Sequence, residues 1–168
     1  MEQDRNQTPR ANRIHIGFFG RRNAGKSSLI NAVTGQQVSV VSDILGTTTD
    51  TVEKAMELLP IGPVVLIDTP GLDDSGALGE LRVQRAKQTF SHTDIAVLVV
   101  DASVGMTQDD RRILQALTEK HIPALSVWNK WDLAENTVLP EGAIAVSAAT
   151  GDGIEALKER LGAFYRER

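Results

Sequence analysis

Cysteine is absent from the 168 residues of this chain, so the chain alone can build neither a disulfide nor a thiolate-held zinc or iron-sulfur centre. No apolar run approaches the roughly 20 residues that a membrane-spanning helix needs. The formal net charge is -4 and the pI is near 5.4, without the excess of Lys and Arg that a nucleic-acid binder gathers on one surface. We therefore expect neither a membrane nor a nucleic acid as a partner.

Histidine is scarce as well, and His15, His92 and His121 lie far apart without metal-ligand spacing. We expect each to be an ordinary packing or surface residue. Residues 1–12 are polar, lack the apolar core of a secretory signal and are expected to form a flexible tail. Residues 13–168 are then one domain of ordinary size, which we expect to be cytoplasmic.

Apolar runs alternate with amphipathic segments along the rest of the chain. Strands are predicted within 13–20, 52–58, 63–71, 94–103, 123–130 and 142–148, and helices within 26–35, 77–90, 107–120 and 153–167. Thr107 fits a helix N-cap because acids follow it in the first turn. This order predicts an α/β fold with a six-stranded, mainly parallel sheet and helices on both faces. Ligands of such sheets bind beyond the carboxyl ends of the strands.

The stretch GRRNAGKSS fits the pattern G-x-x-x-x-G-K-S/T at Gly20, Gly25, Lys26 and Ser27. A predicted strand precedes it and a predicted helix follows, which is the context of a phosphate-binding loop. The glycines let backbone amides approach phosphate oxygens, Lys26 neutralises the outer phosphates and Ser27 can bind magnesium. The loop residues expected at the nucleotide are Asn23, Ala24, Gly25, Lys26, Ser27 and Ser28. The alternative is an ordinary corner between a strand and a helix.

The stretch NKWD follows the fifth predicted strand and indicates which base is bound. Asp132 could accept two hydrogen bonds from the N1 and N2 hydrogens of guanine, whereas adenine would leave this carboxylate unpaired. Lys130 would lay its aliphatic stem along the base. The residues expected at the base are Asn129, Lys130, Asp132, Ser147, Ala148 and Ala149. Taken alone, NKWD could be a polar turn, and an ATPase or kinase would then be the alternative.

Two further stretches carry residues suited to magnesium and to the terminal phosphate. In DTPG, Asp68 can hold a magnesium-bound water, and the Gly71 amide can face the γ-phosphate. In GTTTD, Thr48 could bind the metal from the opposite side. The alternative for GTTTD is a bend whose hydroxyls bond to their own backbone. Loss of the γ-phosphate should release the loops at 36–49 and 70–79, and we expect both to be poorly ordered without nucleotide.

Along the chain, the phosphate-binding loop is followed by GTTTD, DTPG, NKWD and the stretch SAA at residues 147–149. These five stretches, in this order between residues 20 and 149, resemble the small GTPases of tRNA modification and ribosome assembly, the TrmE/Era-like family. More narrowly, FGRRNAGKSSLINA, VSDILGTTTD and ELLPIGPVVLIDTPGLDD resemble the N-terminal GTPase domain of the FeFe-hydrogenase maturation GTPase, the HydF type. The resemblance implies a Ras-like G domain that hydrolyses GTP to GDP with magnesium, and that acts with dimerisation and iron-sulfur domains not found here. It also implies hydrogenase maturation partners and a possible homodimer through the G domains.

The resemblance also bears on hydrolysis, and Lys26, Thr48, Gly71 and Glu80 are the residues expected to take part. Ras-like proteins orient the attacking water with a Gln where this chain has Leu72. In the related tRNA-modification GTPases a glutamate further along serves instead, and Glu80 matches it by spacing. The alternative for Glu80 is a solvated acid at a helix start.

A potassium ion could replace the missing arginine finger, because Arg21 and Arg22 are expected to face solvent. Asn23 matches the asparagine that helps to bind potassium in potassium-dependent relatives. The loop residues expected to complete that site are Ser42, Ile44 and Thr47. We therefore expect slow, potassium-stimulated hydrolysis. The alternatives are a nucleotide-gated binding or dimerisation module with incidental turnover, and a GTPase of ribosome assembly or tRNA modification.

Overall fold

A computed structural model describes residues 13–21, 24–35, 52–58, 61–68 and 79–167. The strands are β1 (Ile14–Gly20), β2 (Val52–Leu58), β3 (Gly62–Asp68), β4 (Ile95–Asp101), β5 (Ala124–Asn129) and β6 (Ile144–Ala145). The helices are α1 (Lys26–Thr34), α2 (Gly79–Gln88), α3 (Gln108–Glu119) and α4 (Ile154–Glu167). Short 3-10 helices span Phe90–His92 and Trp131–Leu133. Among these described helices, none combines the length and the apolar character needed to cross a membrane.

The strands form one sheet in the order β2-β3-β1-β4-β5-β6. β2 runs antiparallel to β3, and all other neighbours are parallel. In the register, Phe18 pairs with Asp68 and Asp101 pairs with Asn129. The carboxyl ends of β1, β3, β4 and β5 therefore lie at one edge of the sheet, as the predicted mainly parallel sheet requires.

Alternate residues of the central strands face the two sides of the sheet. On β4, Ile95, Val97 and Val99 join the core that includes Leu29 of α1 and Leu157 of α4, and all five are buried. The residues between them on β4 belong to the core on the opposite face, where α2 and α3 pack. Because helices cover both faces of the sheet, the sequence of a central parallel strand is a nearly continuous apolar run.

Helix ends agree with the turn chemistry of the sequence. Gly25 before α1 and Gly35 after it have positive φ of 83° and 71°, a region that glycine adopts without strain. Thr107 and Asp110 form a capping box at α3, so the predicted N-cap is confirmed. The predicted strand 142–148 is too long. It ends at Ala145 because Ser147 turns into a loop, where its amide donates to the Asp152 carbonyl at 2.8 Å.

Candidate functional site

Two glycines of the loop between β1 and α1 are required by close contacts at the carboxyl edge of the sheet. A Cβ built on Gly20 would lie 2.5 Å from the Val99 carbonyl oxygen, and one on Gly25 would lie 2.5 Å from Asn129 Nδ2. Both glycines have positive φ. The backbone therefore passes closer to β4 and β5 than any side chain would allow, which favours the phosphate-binding loop over an ordinary corner.

Lys26 begins α1 and points into the protein rather than into solvent. Its side chain is 5% exposed, and its Nζ lies 2.8 Å from Asp68 Oδ1 at the end of β3. A buried ammonium is costly unless it is paired, and the carboxylate supplies the pairing charge. The structure thus brings together the two predicted residues that bear opposite charge, one for phosphate and one for magnesium.

Asp68 and Ser27 offer oxygen atoms that suit magnesium. Asp68 Oδ1 is buried and, apart from its ion pair with Lys26, accepts no hydrogen bond from the residues that the structure describes. Ser27 is half-buried next to Lys26 in the first turn of α1. A carboxylate with spare acceptor capacity and a hydroxyl are oxygen ligands that magnesium or its bound water can use. The described residues of the predicted magnesium site therefore fit that ion.

Asn129 links three loops of the site. Its Nδ2 donates to the Ala24 carbonyl at 2.9 Å, and its Oδ1 accepts from the Ala148 amide at 2.9 Å. The side chain is buried, with 2% exposure for the residue. In this arrangement Asn129 holds the phosphate loop and the loop at 147–149 together. Its predicted place at the nucleotide stays a prediction.

Lys130 has a left-handed backbone with φ of 63° and lies over the phosphate loop, its Cε within 3.9 Å of a Cβ built on Gly25. Its Nζ lies 3.3 Å from Asp101 Oδ2. Burial tends to raise the pKa of Asp101, but hydrogen bonds from the Ser103 hydroxyl and amide and from Lys130 outweigh it and hold that pKa below its ordinary value. Asp101 is therefore a charged partner for Lys130.

Asp132 is exposed in the 3-10 helix that follows Lys130. Its position is held by the Trp131 amide, which donates to the Val146 carbonyl at 3.0 Å. Ser147 is buried, and its Oγ accepts from the Thr150 amide at 3.2 Å. Ala149 is exposed and Ala148 is half-buried. The Asp132 carboxylate and the 147–149 backbone thus belong to neighbouring segments at one end of the site.

Several predicted residues lie outside the described part of the chain. They are Asn23, Ser42, Ile44, Thr47, Thr48, Gly71 and Leu72, together with Arg22 and the predicted loop at 36–49. The predicted loop at 70–79 lies there too, except for Gly79, which begins α2. Glu80 lies in the first turn of α2, where the structure describes the backbone but not this side chain. Ser28 is exposed in the first turn of α1. The predicted roles of Thr48, Gly71, Glu80 and the potassium loop stay predictions.

Two residues of the site have roles that the sequence did not predict. Asp101 was recognised as an acid at a strand end, and the pairing of β4 with β5 brings it to Lys130. Arg21 was expected to face solvent, but it is half-buried and lines a cavity of about 160 Å³. The signal for Asp101 was its place at the end of a buried strand. Nothing in the local sequence predicts this position of Arg21, because most of its neighbours in the cavity are distant in sequence.

A family model described as 50S ribosome-binding GTPase matches residues 15–130. The match begins in β1 and ends directly after Asn129, so it includes the phosphate loop, Asp68 and the start of NKWD.

Curated and solved proteins agree with this match. The tRNA modification GTPase MnmE of Nitrosomonas europaea is 40% identical over 156 residues, which are 88% of this chain and 34% of that protein. The chain thus spans about a third of the length of the curated relatives it matches. A probable GTP-binding protein, engB, is 30% identical with a TM-score of 0.69, covering 92% of this chain and 100% of that one. Aquifex aeolicus Era bound to GDP.AlF4- is 26% identical with a TM-score of 0.71, covering 89% and 56%.

Proposed function

Because this chain belongs to the family of 50S ribosome-binding GTPases and is a GTPase domain, we propose that residues 13–168 act as one guanine-nucleotide switch that converts GTP and water to GDP and phosphate. The observation that carries the proposal is a pair of hydrogen bonds at Asn129, which donates to the Ala24 carbonyl and accepts from the Ala148 amide. They hold the phosphate loop against the loops that would bind the base. A site in which these loops are held together can contact both the phosphates and the base of one nucleotide.

The family implies guanine nucleotide and magnesium, and Ser27 and Asp68 are the described residues that would hold the metal. When bound, magnesium neutralises negative charge on the phosphate oxygens. Lys26 is paired with Asp68 at 2.8 Å, and a phosphate chain gives its ammonium a second anionic partner. The loop amides before α1 and the positive end of that helix stabilise the same charge. Thr48, Gly71 and Glu80 are proposed to complete the reaction site.

Guanine selectivity is assigned to Asp132. Its carboxylate is exposed, so a bound guanine can donate two hydrogen bonds to it from N1 and N2. Adenine lacks this donor pair and would leave the carboxylate desolvated and unpaired, which discriminates strongly.

The test of this assignment is equilibrium binding of fluorescent GDP, with GTP and ATP as competitors, to the wild type and to Asp132→Ala. We expect wild type to prefer GTP over ATP by at least about a hundredfold, since a site built for hydrogen-bonding groups rejects analogues that lack them. Asp132→Ala should lose most of that ratio. Glu135→Ala, which removes another exposed carboxylate nearby, is the matched control and should keep it. Equal selectivity in both variants would contradict the assignment.

We also propose that potassium stimulates hydrolysis through Asn23, Ser42, Ile44 and Thr47, on the strength of the resemblance of the loop segments to potassium-dependent relatives. The comparison is the hydrolysis rate in potassium against sodium for wild type and Asn23→Ala. The proposal expects a faster rate in potassium for wild type and no difference for the variant. It fails if the variant responds to the two cations as the wild type does.

Two biological settings are candidates for this GTPase domain. tRNA modification is supported by the 40% identity to a tRNA modification GTPase. Hydrogenase maturation, in which the domain would act with dimerisation and iron-sulfur domains and could itself pair with a second G domain, is supported by the resemblance of the three longer segments quoted above.

Deletion of the gene in its own host separates these settings. Loss of modified nucleosides from tRNA, measured by mass spectrometry, would support tRNA modification. Loss of hydrogenase activity with unchanged tRNA would support hydrogenase maturation. Restoring the wild-type gene, but not one encoding Lys26→Ala, should restore whichever function is lost.

A further inference from the structure

Asp110 lies in the first turn of α3 and is only 2% exposed. Its Oδ2 accepts a hydrogen bond from the Thr107 amide at 2.9 Å, and its own amide donates to Thr107 Oγ1 at 3.2 Å. This cap uses one carboxylate oxygen. The other, Oδ1, is buried and has no hydrogen-bond partner within the described part of the chain. Because a capping acid does not have to be buried, the burial of Asp110 needs a second explanation.

A cavity of about 160 Å³ connects Asp110 to the phosphate loop. Arg21 and Ala24 line it from the loop, while Asp101 at the end of β4, Thr107 before α3 and Asp110 in the first turn of α3 line it from the other side. Burial raises the pKa of Asp110, and the hydrogen bonds with Thr107 and the positive charge of Arg21 oppose that rise. The two residues therefore line one cavity, and the positive charge of Arg21 favours the charged form of Asp110.

Arg21 is the residue at which the phosphate loop begins to turn. Its carbonyl accepts a hydrogen bond from the Ala24 amide at 3.1 Å, and the Ala24 carbonyl in turn accepts from Asn129. The backbone of Arg21 is therefore hydrogen-bonded to the residue directly before Gly25 and Lys26. A guanidinium is the cation best suited to a buried carboxylate, because its planar N–H groups can bind both oxygens.

We propose that Asp110 is a positioning residue of the phosphate loop, which it holds through Arg21 across this cavity. The inference rests on the proposed function, because it assigns to Asp110 an effect on nucleotide binding. This role differs from capping of α3, in which the Thr107 hydroxyl takes part, because it depends on the negative charge of Asp110.

The experiment measures GTP affinity, kcat, KM and Tm for the wild-type chain, Asp110→Asn, Arg21→Met and the double variant. Thr107→Ala is the matched control, since it weakens the helix cap and leaves the carboxylate in place. We expect each single charge variant to weaken GTP binding about tenfold, within the range of typical coupling between sites, with a larger change in KM than in kcat. The double variant should bind no more weakly than either single one. Thr107→Ala should lower Tm but bind GTP within about twofold of wild type.

The inference would be overturned if Asp110→Asn bound GTP with wild-type affinity. It would also be overturned if the fold-losses of GTP affinity in Asp110→Asn and Arg21→Met multiplied in the double variant. If Thr107→Ala lost as much GTP affinity as Asp110→Asn, Asp110 would act only as a helix cap. If Asp110→Asn does not fold, Arg21→Met decides, because wild-type affinity there contradicts the proposed link. Failure of the wild type itself to bind GTP would instead contradict the proposed function.

Discussion

At the scale of single residues, Gly25 shows how a local requirement follows from a distant neighbour. Its φ is 83°, and a Cβ would lie 2.5 Å from Asn129 Nδ2. Gly25→Ala should therefore add a steric clash to backbone strain and lower the free energy of unfolding by about 2 to 4 kcal/mol. Gly35→Ala is the control, because Gly35 has φ of 71° but nothing within 4 Å of its Cβ position. It should lose only about 1 kcal/mol. Urea unfolding measures both, and equal losses would contradict the close contact.

Asp110 gives a pH dependence of stability whose sign can be worked out. Burial raises the pKa of Asp110 in the folded state above its ordinary value of 3.8. At a pH between 3.8 and the folded pKa, folding therefore takes up a proton. The free energy of unfolding falls as the pH rises through that range. Asp110→Asn lacks this loss, so its stability relative to wild type should rise as the pH is raised above about 4. Urea unfolding from pH 3 upwards checks this.

Asp101 supplies the opposite case and therefore an internal control. The pKa of Asp101 in the folded state lies below 3.8, because hydrogen bonds from Ser103 and Lys130 outweigh the effect of burial. Its contribution to stability is present above 3.8 and is lost as the pH falls through the folded pKa. Asp101→Asn should therefore lose stability relative to wild type as the pH rises through this acidic range. The same slope in both variants would be inconsistent with their different environments.

Residue types and spacing were sufficient to predict Gly20, Gly25, Lys26 and Asp68 as neighbours at one site, because each belongs to a short pattern with a defined chemical purpose. Residue types and spacing were not sufficient to predict that Asp110 is buried. Acids are common in the first turn of a helix because they favour the helix dipole, and nothing in the local sequence says which of them is buried. That depends on the cavity formed with Arg21.

At the scale of secondary-structure elements, the site depends on loops that are tied to one another. Asn129→Ala removes the donor to the Ala24 carbonyl and the acceptor of the Ala148 amide, so it should lower the free energy of unfolding by about 2 to 4 kcal/mol. GTP affinity should fall with it, since the phosphate loop loses its contact with β5. Calorimetry and fluorescent-GDP binding measure the two effects. Ser126→Ala, on the same strand, is the control, and a similar loss there would contradict the role of Asn129 as a link.

The four α-helices and six strands in the part of the chain that the structure describes were all predicted, because each has a clear apolar period or a continuous apolar run. β2 was recovered at Val52–Leu58, and the end of α1 was marked by Gly35. The end of β6 was not recovered. Apolar residues continue past Ala145, but they serve a loop whose hydrogen bonds run from Ser147 to Asp152 and Gly151. Apolar character alone does not distinguish a strand from a buried loop.

At the scale of the whole molecule, the fold class followed from the alternation of strands and helices, but the strand order did not. The order β2-β3-β1-β4-β5-β6 depends on crossovers that leave no periodic signal in the sequence. The resemblance to TrmE/Era-like GTPases is confirmed by the family match over residues 15–130. The narrower assignment to hydrogenase maturation stays a prediction, because the comparisons support the broader family.

Nucleotide binding should stabilise the entire domain if the site is formed as described. A ligand at a hundred times its dissociation constant adds about 2.7 kcal/mol, which for a domain of this size raises Tm by about 5 to 11 °C. GDP with magnesium should produce this shift in wild type, whereas ATP at the same concentration and GDP added to Lys26→Ala should not. A thermal scan provides the test, and equal shifts with GDP and ATP would contradict guanine selectivity.

The most direct test of the central claim is phosphate release from GTP and from ATP by the purified chain, with magnesium, in potassium and in sodium. The account predicts release from GTP alone, faster in potassium, and none above background from Lys26→Ala. Release from ATP at the same rate as from GTP, or undiminished release by Lys26→Ala, would contradict it.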